Sequence, residues 1–125
     1  QSTGKLLLVE GPFDVAQCVE AGIKNVVASF GSDLNEHQIP RLQLLQEQIG
    51  FEEVLVWYDR DKAGGKGQQT AYQRLQQAGL KPRVFAWGQS FPSPTGEVVP
   101  IPDTLKDPGD FTTAQLQWLR RKGVI

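Results

Sequence analysis

Residues 54–58, Val-Leu-Val-Trp-Tyr, form an unbroken apolar run that stops at Asp59-Arg60-Asp61. A run this short, closed by turn residues, reads as a buried strand. Lys62-Ala63-Gly64-Gly65-Lys66 follow, and then a polar stretch in which Ala71, Leu75 and Ala78 recur at helical spacing as far as Gly79. A strand that runs through a short turn into a helix is the building unit of layered α/β folds. The junction also sets an electrostatic condition. Two carboxylates at i and i+2 beyond an apolar strand repel each other unless a cation compensates them. A hard divalent ion, which prefers oxygen ligands, satisfies that condition. So does a solvated Asx turn, for which Asp and Gly are ordinary residues.

The same pattern appears earlier in the chain. Leu6-Leu7-Leu8-Val9 ends at Glu10-Gly11-Pro12, so Glu10 takes the place after its strand that Asp59 takes after the later one. In residues 13–23, Phe13, Ala16, Val19 and Ile23 recur at three- and four-residue spacing, predicting a helix that buries this face and ends near Gly22. Asp14 falls in its first turn, where a carboxylate favours the exposed N–H groups; a metal role is the alternative reading. Residues 25–30 predict a second strand broken by Gly31, with Ser32, Asp33 and Asn35 as candidate caps for the next helix. That helix carries Ile39, Leu42, Leu45 and Ile49 on one stripe. Pro40 is tolerated only in a first turn, which puts the start near Ile39. Residues 82–87 predict a fourth strand with Val84 and Phe85 inside. Strand and helix alternate throughout, which favours βαβ units and a mostly parallel four-stranded sheet flanked by helices. In such sheets ligands gather beyond the carboxyl ends of the strands, and Glu10, Asp59 and Asp61 all fall there.

A chain of 125 residues supports one domain with a real core. Apolar residues at 39% and charged residues at 22% place it among globular proteins rather than disordered ones. No apolar run has membrane-spanning length and no secretory pattern opens the chain, so a cytoplasmic location is expected. Cys18 is the single cysteine and His37 the single histidine, too few for a structural zinc site or a disulfide framework. Cys18 is expected to be a buried thiol, and His37 a surface or capping residue. Residues 1–57 carry three Lys/Arg against eight Asp/Glu, and residues 58–125 carry ten against six. This asymmetry permits a basic surface near an acidic centre, as a phosphate-bearing partner would require, although charged residues also simply form solvated faces. Residues 88–110 are rich in Pro and Gly and read as an irregular loop with Val98-Val99 as a short extra strand. The loop carries a second acidic turn, Lys106-Asp107-Pro108-Gly109-Asp110. Asp110 or Thr112 can cap a last helix over residues 113–121, which Arg120-Arg121-Lys122 closes with favourable positive charge.

Taken in order, LLLVEGPFDV (6–15), NVVASFG (25–31), VLVWYDRDKAG (54–64) and LKDPGDF (105–111) resemble the toprim domain, the catalytic fold shared by bacterial-type primases, topoisomerases and some nucleases. The family's Glu-Gly falls on Glu10-Gly11 and its Asp-x-Asp on Asp59 and Asp61. The primase branch, in its bacterial replicative and phage or mobile-element forms, adds a Lys-Asp-Pro-Asp-like motif. Lys106-Asp107-Pro108 matches it, but Gly109 displaces the second acid to Asp110. The resemblance implies a Rossmann-like toprim fold. It also implies a site of Glu10, Asp59, Asp61 and Asp107, with Asp59, Asp61 and Glu10 holding one or two Mg²⁺ ions, alternatively Mn²⁺. Glu10 is implied as general base or metal-positioning group.

Arg60, Lys62, Lys66 and Lys106 are candidate phosphate or nucleic-acid contacts, each equally readable as a solubilising surface charge. Gly11 and Gly64 support the turns, and Gly64 and Gly65 would allow close backbone approach. The implied activity is nucleotidyl transfer on single-stranded DNA template with nucleoside triphosphates, making short RNA primers. Metal-dependent DNA cleavage, or a non-catalytic nucleic-acid or protein-binding module, uses the same scaffold. A primase's zinc module and preceding catalytic subdomain have no counterpart in these residues, and the chain begins with Gln1 rather than Met. A portion of a longer primase-like protein, or a stand-alone relative, is therefore expected. Other domains of the same chain and a helicase are the implied partners. Tyr58 and Tyr72 are read as core or surface residues.

Overall fold

The computed structural model describes residues 4–29, 34–93 and 95–125. The expectations placed on Phe30, Gly31, Ser32 and Asp33 lie outside these residues. Strands β1 (Lys5–Val9), β2 (Val26–Ala28), β3 (Glu53–Val56) and β4 (Pro82–Val84) form one sheet in the order β2-β1-β3-β4. Every pair in it is parallel. Helices α1 (Pro12–Glu20), α2 (Gln38–Ile49) and α3 (Lys62–Gln77) make the crossovers, and α4 (Thr113–Arg121) ends the chain. Among the described residues, no helix is long and apolar enough to cross a membrane.

Side-chain alternation along the central strands builds two cores. Leu7, Val9, Leu55 and Trp57 face one way and pack with Cys18 and Ala21 near α1, with Leu116 and Leu119 of α4, and with Phe85, Phe91 and Phe111. Leu6, Leu8, Val54, Val56 and Tyr58 face the other way, against Leu42 of α2 and Ala71 and Leu75 of α3. Both faces of the sheet are covered, so its strands are continuous apolar runs rather than alternating ones. The ladder is shorter than the apolar run after residue 53 suggests. Trp57 and Tyr58 are fully buried but lie past β3, and the Trp57 N–H still donates to the Leu8 carbonyl at 2.9 Å.

Three expectations of burial are corrected. Helix α1 turns its Phe13–Ala16–Val19 face outward: Phe13 is 85% exposed and Val19 48%. Cys18 points inward instead, with Val15 and Ala21 packing on the same core, and Asp14 is tolerated beside them because both of its carboxylate oxygens are held by backbone N–H groups. Val84 lies on an edge strand and is partly exposed, whereas Phe85, one residue on, is buried. Ile49, at the last turn of α2, is half exposed. Val98-Val99 do form a strand, β6 (Val98–Pro100), paired antiparallel with β5 (Ser90–Pro92) in a separate two-stranded sheet. His37 occupies the N-cap position of α2 without a side-chain bond to the helix, and Asn35 in the preceding turn accepts at its Oδ1 from the N–H groups of His37 and Gln38. Thr112 caps α4 in a reciprocal pair with Gln115, 3.1 and 2.9 Å.

Candidate active site

Because the four strands run the same way, the residues leaving β1 and β3 emerge on one edge. Glu10 leaves β1, and Gly11 with Pro12 at the first helical position turns the chain into α1. Asp59 leaves the β3 run. Asp61 is the N-cap of α3, its Oδ1 accepting from the Gly64 N–H at 2.6 Å. Gly64 is fixed by sterics: a Cβ there would meet the Asp59 carbonyl oxygen at 2.0 Å. Gly65 faces open space, so the close approach expected of both glycines belongs to Gly64 alone.

The second acidic turn is brought to the same edge by Asp14. Its Oδ2 accepts from the Gly11 N–H at 3.3 Å, and its Oδ1 accepts from the Gly109 N–H at 2.9 Å. Gln17 adds a bond to the Phe111 carbonyl at 2.7 Å. A 3₁₀ turn over Pro108–Asp110 then presents Asp107. Asp110 does not join it; its Oδ2 accepts from the Lys106 N–H at 2.8 Å and closes its own loop. Asp14 fills the first-turn role expected of it, bonding the N-cap N–H, and adds a long-range bond that the sequence does not show. Its place three residues after the N-cap Gly11, from which a carboxylate reaches back to the N-cap N–H, is a local signal, but its bond to Gly109 spans distant sequence and left no local trace.

Glu10, Gly11, Pro12, Phe13, Asp14, Asp59 and Asp107 line an open cleft of about 450 Å³. Burial pushes the Asp59 carboxyl up to about 7, helped by hydrogen bonding to Glu10 and by the charges of Glu10, Asp107 and Asp61. Burial likewise raises Asp107 to about 6, with the charges of Asp14 and Asp110 adding to it. Glu10 and Asp14 are also raised, chiefly by burial. One oxygen on Glu10, Oε1, and one on Asp59, Oδ1, are buried with no hydrogen-bond partner. Unsatisfied buried carboxylate oxygens are costly, and an all-oxygen donor set suits a hard divalent cation. Among the described residues, no three acidic, histidine or cysteine side chains are already arranged as a ligand set. The donors fit such an ion in kind and are not pre-assembled around one.

These shifts make stability depend on pH. Between the unfolded value of 3.8 and the folded values near 7 and 6, the folded chain binds more protons than the unfolded one. The resulting stabilisation is full below 3.8 and is lost as pH rises through about 6 to 7. Water reaches the cleft and screens the repulsion, so in metal-free buffer the loss from about pH 4 to about pH 8 is expected to be ~1–2 kcal/mol. Asp59→Asn should match wild type at the low pH and exceed it by ~1 kcal/mol at the high one, in urea unfolding. Equal stability of the two proteins at both pH values would refute the electrostatic strain.

The basic candidates separate. Lys62 and Lys66 are exposed on the first turns of α3, and Lys106 is exposed beside Asp107; none of them lines the cleft. Arg60 is turned to the loop before Asp107, where it bonds Pro102 and pairs with Asp103. Burial pushes the Cys18 thiol up to about 12, as befits a core residue.

The sequence matches the family model of the toprim domain over residues 4–86. The chain belongs to the toprim family. Within that family, this toprim sequence is similar to bacterial DNA primases. It is 39% identical over 72 residues to the DNA primase of Enterococcus faecalis, covering 58% of this chain and 11% of that protein. Against the DNA primase of Mycoplasma pneumoniae the identity is 37% over 90 residues, 72% of this chain and 14% of the relative. The fold is similar to the crystal structure of the Aquifex aeolicus primase (zinc-binding and RNA polymerase domains), with a TM-score of 0.66 and 29% identity over 94% of this chain and 25% of that one. The toprim chain thus spans a small fraction of the length of the curated relatives it matches.

Proposed function

We propose that this toprim chain supplies the acidic centre of a DNA primase-like nucleotidyltransferase, which makes short RNA primers on single-stranded DNA from nucleoside triphosphates. What supports the reading is the meeting of Glu10, Asp59 and Asp107 on one cleft, with an unpartnered buried oxygen on each of the first two. Similarity to bacterial DNA primases supports the reaction class. Asp59, Asp61 and Glu10 would hold Mg²⁺ or Mn²⁺, with Asp107 contributing negative charge. A bound divalent cation supplies charge neutralisation for phosphoryl oxygens. Asp61 meanwhile holds the start of α3 in place, and Glu10 and Asp59 share a site where a proton can be held near neutral pH. Other domains of a longer polypeptide would deliver template and nucleotide.

Mn²⁺ titration of the chain tests the acidic centre. Asp59→Asn combined with Asp61→Asn is expected to abolish saturable binding; an unchanged titration would rule the site out. A primer assay with single-stranded template, ribonucleotides and Mg²⁺, on the protein that contains this chain, tests the reaction. Metal-dependent plasmid nicking with no primer product would replace this reading with a nuclease, and neither activity would leave a binding module.

A further inference from the structure

Arg60 stands between Asp59 and Asp61 in sequence, yet its bonds run to the segment that leads into Asp107. Its backbone N–H donates to the Lys106 carbonyl at 2.6 Å. Its Nη1 donates to the carbonyls of Pro102 at 3.0 Å and Ile101 at 3.5 Å. Its Nη2 pairs with Asp103 at 3.4 Å, and the guanidinium carbon lies 5.1 Å from the centre of the Trp87 ring. Asp103 is 96% exposed, so water screens that ion pair and it contributes little. The carbonyl bonds and the ring contact carry the attachment. A guanidinium can make them together because it is planar and forked; an ammonium cannot.

We propose that Arg60 is a positioning residue, a clasp that fixes residues 101–106 against the aspartate turn and so sets Asp107 relative to Asp59. This rests on reading the cleft as a metal site. Asp107 directly follows Lys106, whose carbonyl accepts from the main-chain N–H of Arg60; the guanidinium reinforces that bond by holding residues 101 and 102 against the same turn. Beyond Asp107, Gly109 donates to Asp14 at 2.9 Å. Asp107 is therefore held between two tethers, one from the β3–α3 turn and one from α1. The main-chain bond joins the two acidic motifs directly, and the guanidinium secures the segment that leads into the second.

Charge and position give opposite signs. If Arg60 acted only through its charge, removing it would take a cation away from a cation site and tighten metal binding. As a clasp, its removal loosens binding. Groups that orient metal ligands are typically worth 10–100-fold in affinity, so Arg60→Ala is expected to weaken Mn²⁺ binding by roughly tenfold. Arg60→Lys keeps the charge but not the fork, and it should weaken binding in the same direction. Asp103→Ala removes only the screened ion pair and should leave the affinity within about twofold of wild type. Amide exchange at residue 60, whose acceptor is the Lys106 carbonyl, should speed up in Arg60→Ala.

Binding as tight as wild type or tighter in Arg60→Ala, or unchanged exchange at residue 60, overturns the clasp. Should Arg60→Ala not fold, undiminished affinity in Arg60→Lys overturns it equally. If the wild-type chain takes up no Mn²⁺, the metal reading fails by itself. Exchange then decides the clasp: faster in the variant supports it, unchanged refutes it.

Discussion

Gly64→Ala is expected to destabilise the chain by about 2–3 kcal/mol and to disorganise the acidic cleft with it. On propensity alone the change should help, since alanine in a helix is favoured over glycine by roughly 1 kcal/mol. Sterics outweigh propensity here. The added Cβ would lie 2.0 Å from the Asp59 carbonyl oxygen, 2.8 Å from its carbon and 3.1 Å from its nitrogen. These are main-chain atoms of the turn that follows β3, so no side-chain rotation relieves the contact. Either α3 withdraws, and the 2.6 Å cap from Asp61 to the Gly64 N–H is lost, or Asp59 is displaced from Glu10. Gly65→Ala is the control, because a Cβ there meets nothing within 4 Å. It should be neutral or stabilising by up to ~1 kcal/mol. Urea unfolding and Mn²⁺ titration of both variants check this. A Gly64→Ala chain as stable as Gly65→Ala would show that the helix start is not packed against the turn as described.

The order of strands and helices was legible because each central strand is an apolar run and each breaks at Gly, Pro or a carboxylate. That grammar placed Glu10, Asp59 and Asp61 beyond the sheet. It failed where burial depends on a partner remote in sequence. The spacing of Phe13, Ala16 and Val19 is as helical as the face that is buried. The buried face carries Val15, Cys18 and Ala21, and Asp14 can go inside with them because Gly11 and Gly109 satisfy it. A carboxylate in the inward stripe argues for the other face until its donors are known.

The candidate site divides in the same way. Asp107 was found through a motif resemblance, and its place beside Asp59 depends on bonds to Asp14, Gln17 and Arg60 that no local pattern records. Arg60 shows the limit most plainly. A cation between two aspartates reads as a phosphate contact. In the folded chain its guanidinium is occupied by the carbonyls of residues 101 and 102 and by the ring of Trp87. Lys62 and Lys66 lack such contacts and keep their reading as exposed candidates for a polyanionic partner.

The largest loss of stability is expected from Phe111→Ala, about 3–5 kcal/mol. Phe111 is 1% exposed and follows the turn that presents Asp107. Its ring centre lies 5.2 Å from Trp57, 5.6 Å from Phe91 and 5.9 Å from Trp87, mostly in edge-to-face geometry worth roughly 0.5–1.5 kcal/mol per pair beyond area burial. Trp57 belongs to the core beside β3, Phe91 to the β5–β6 pair and Trp87 to the segment between β4 and β5. One side chain thus joins the sheet to both parts of the irregular region. Removing it leaves a cavity ringed by stiff aromatics, which collapse poorly. Because domains of this size are typically stable by only 5–15 kcal/mol, the variant should unfold at markedly lower urea concentration. Phe111→Leu keeps part of the volume but none of the ring contacts, so it should lose less than Phe111→Ala, roughly 1.5–3 kcal/mol. The site should respond with the fold: in Phe111→Ala the amide of Ile101, bonded to the Gln89 carbonyl at 3.2 Å, should exchange faster, and Mn²⁺ binding should weaken as Asp107 loses its support. If Ile101 keeps its protection, the hairpin is held by contacts other than this ring, and the second acidic turn is anchored by Asp14, Gln17 and Arg60.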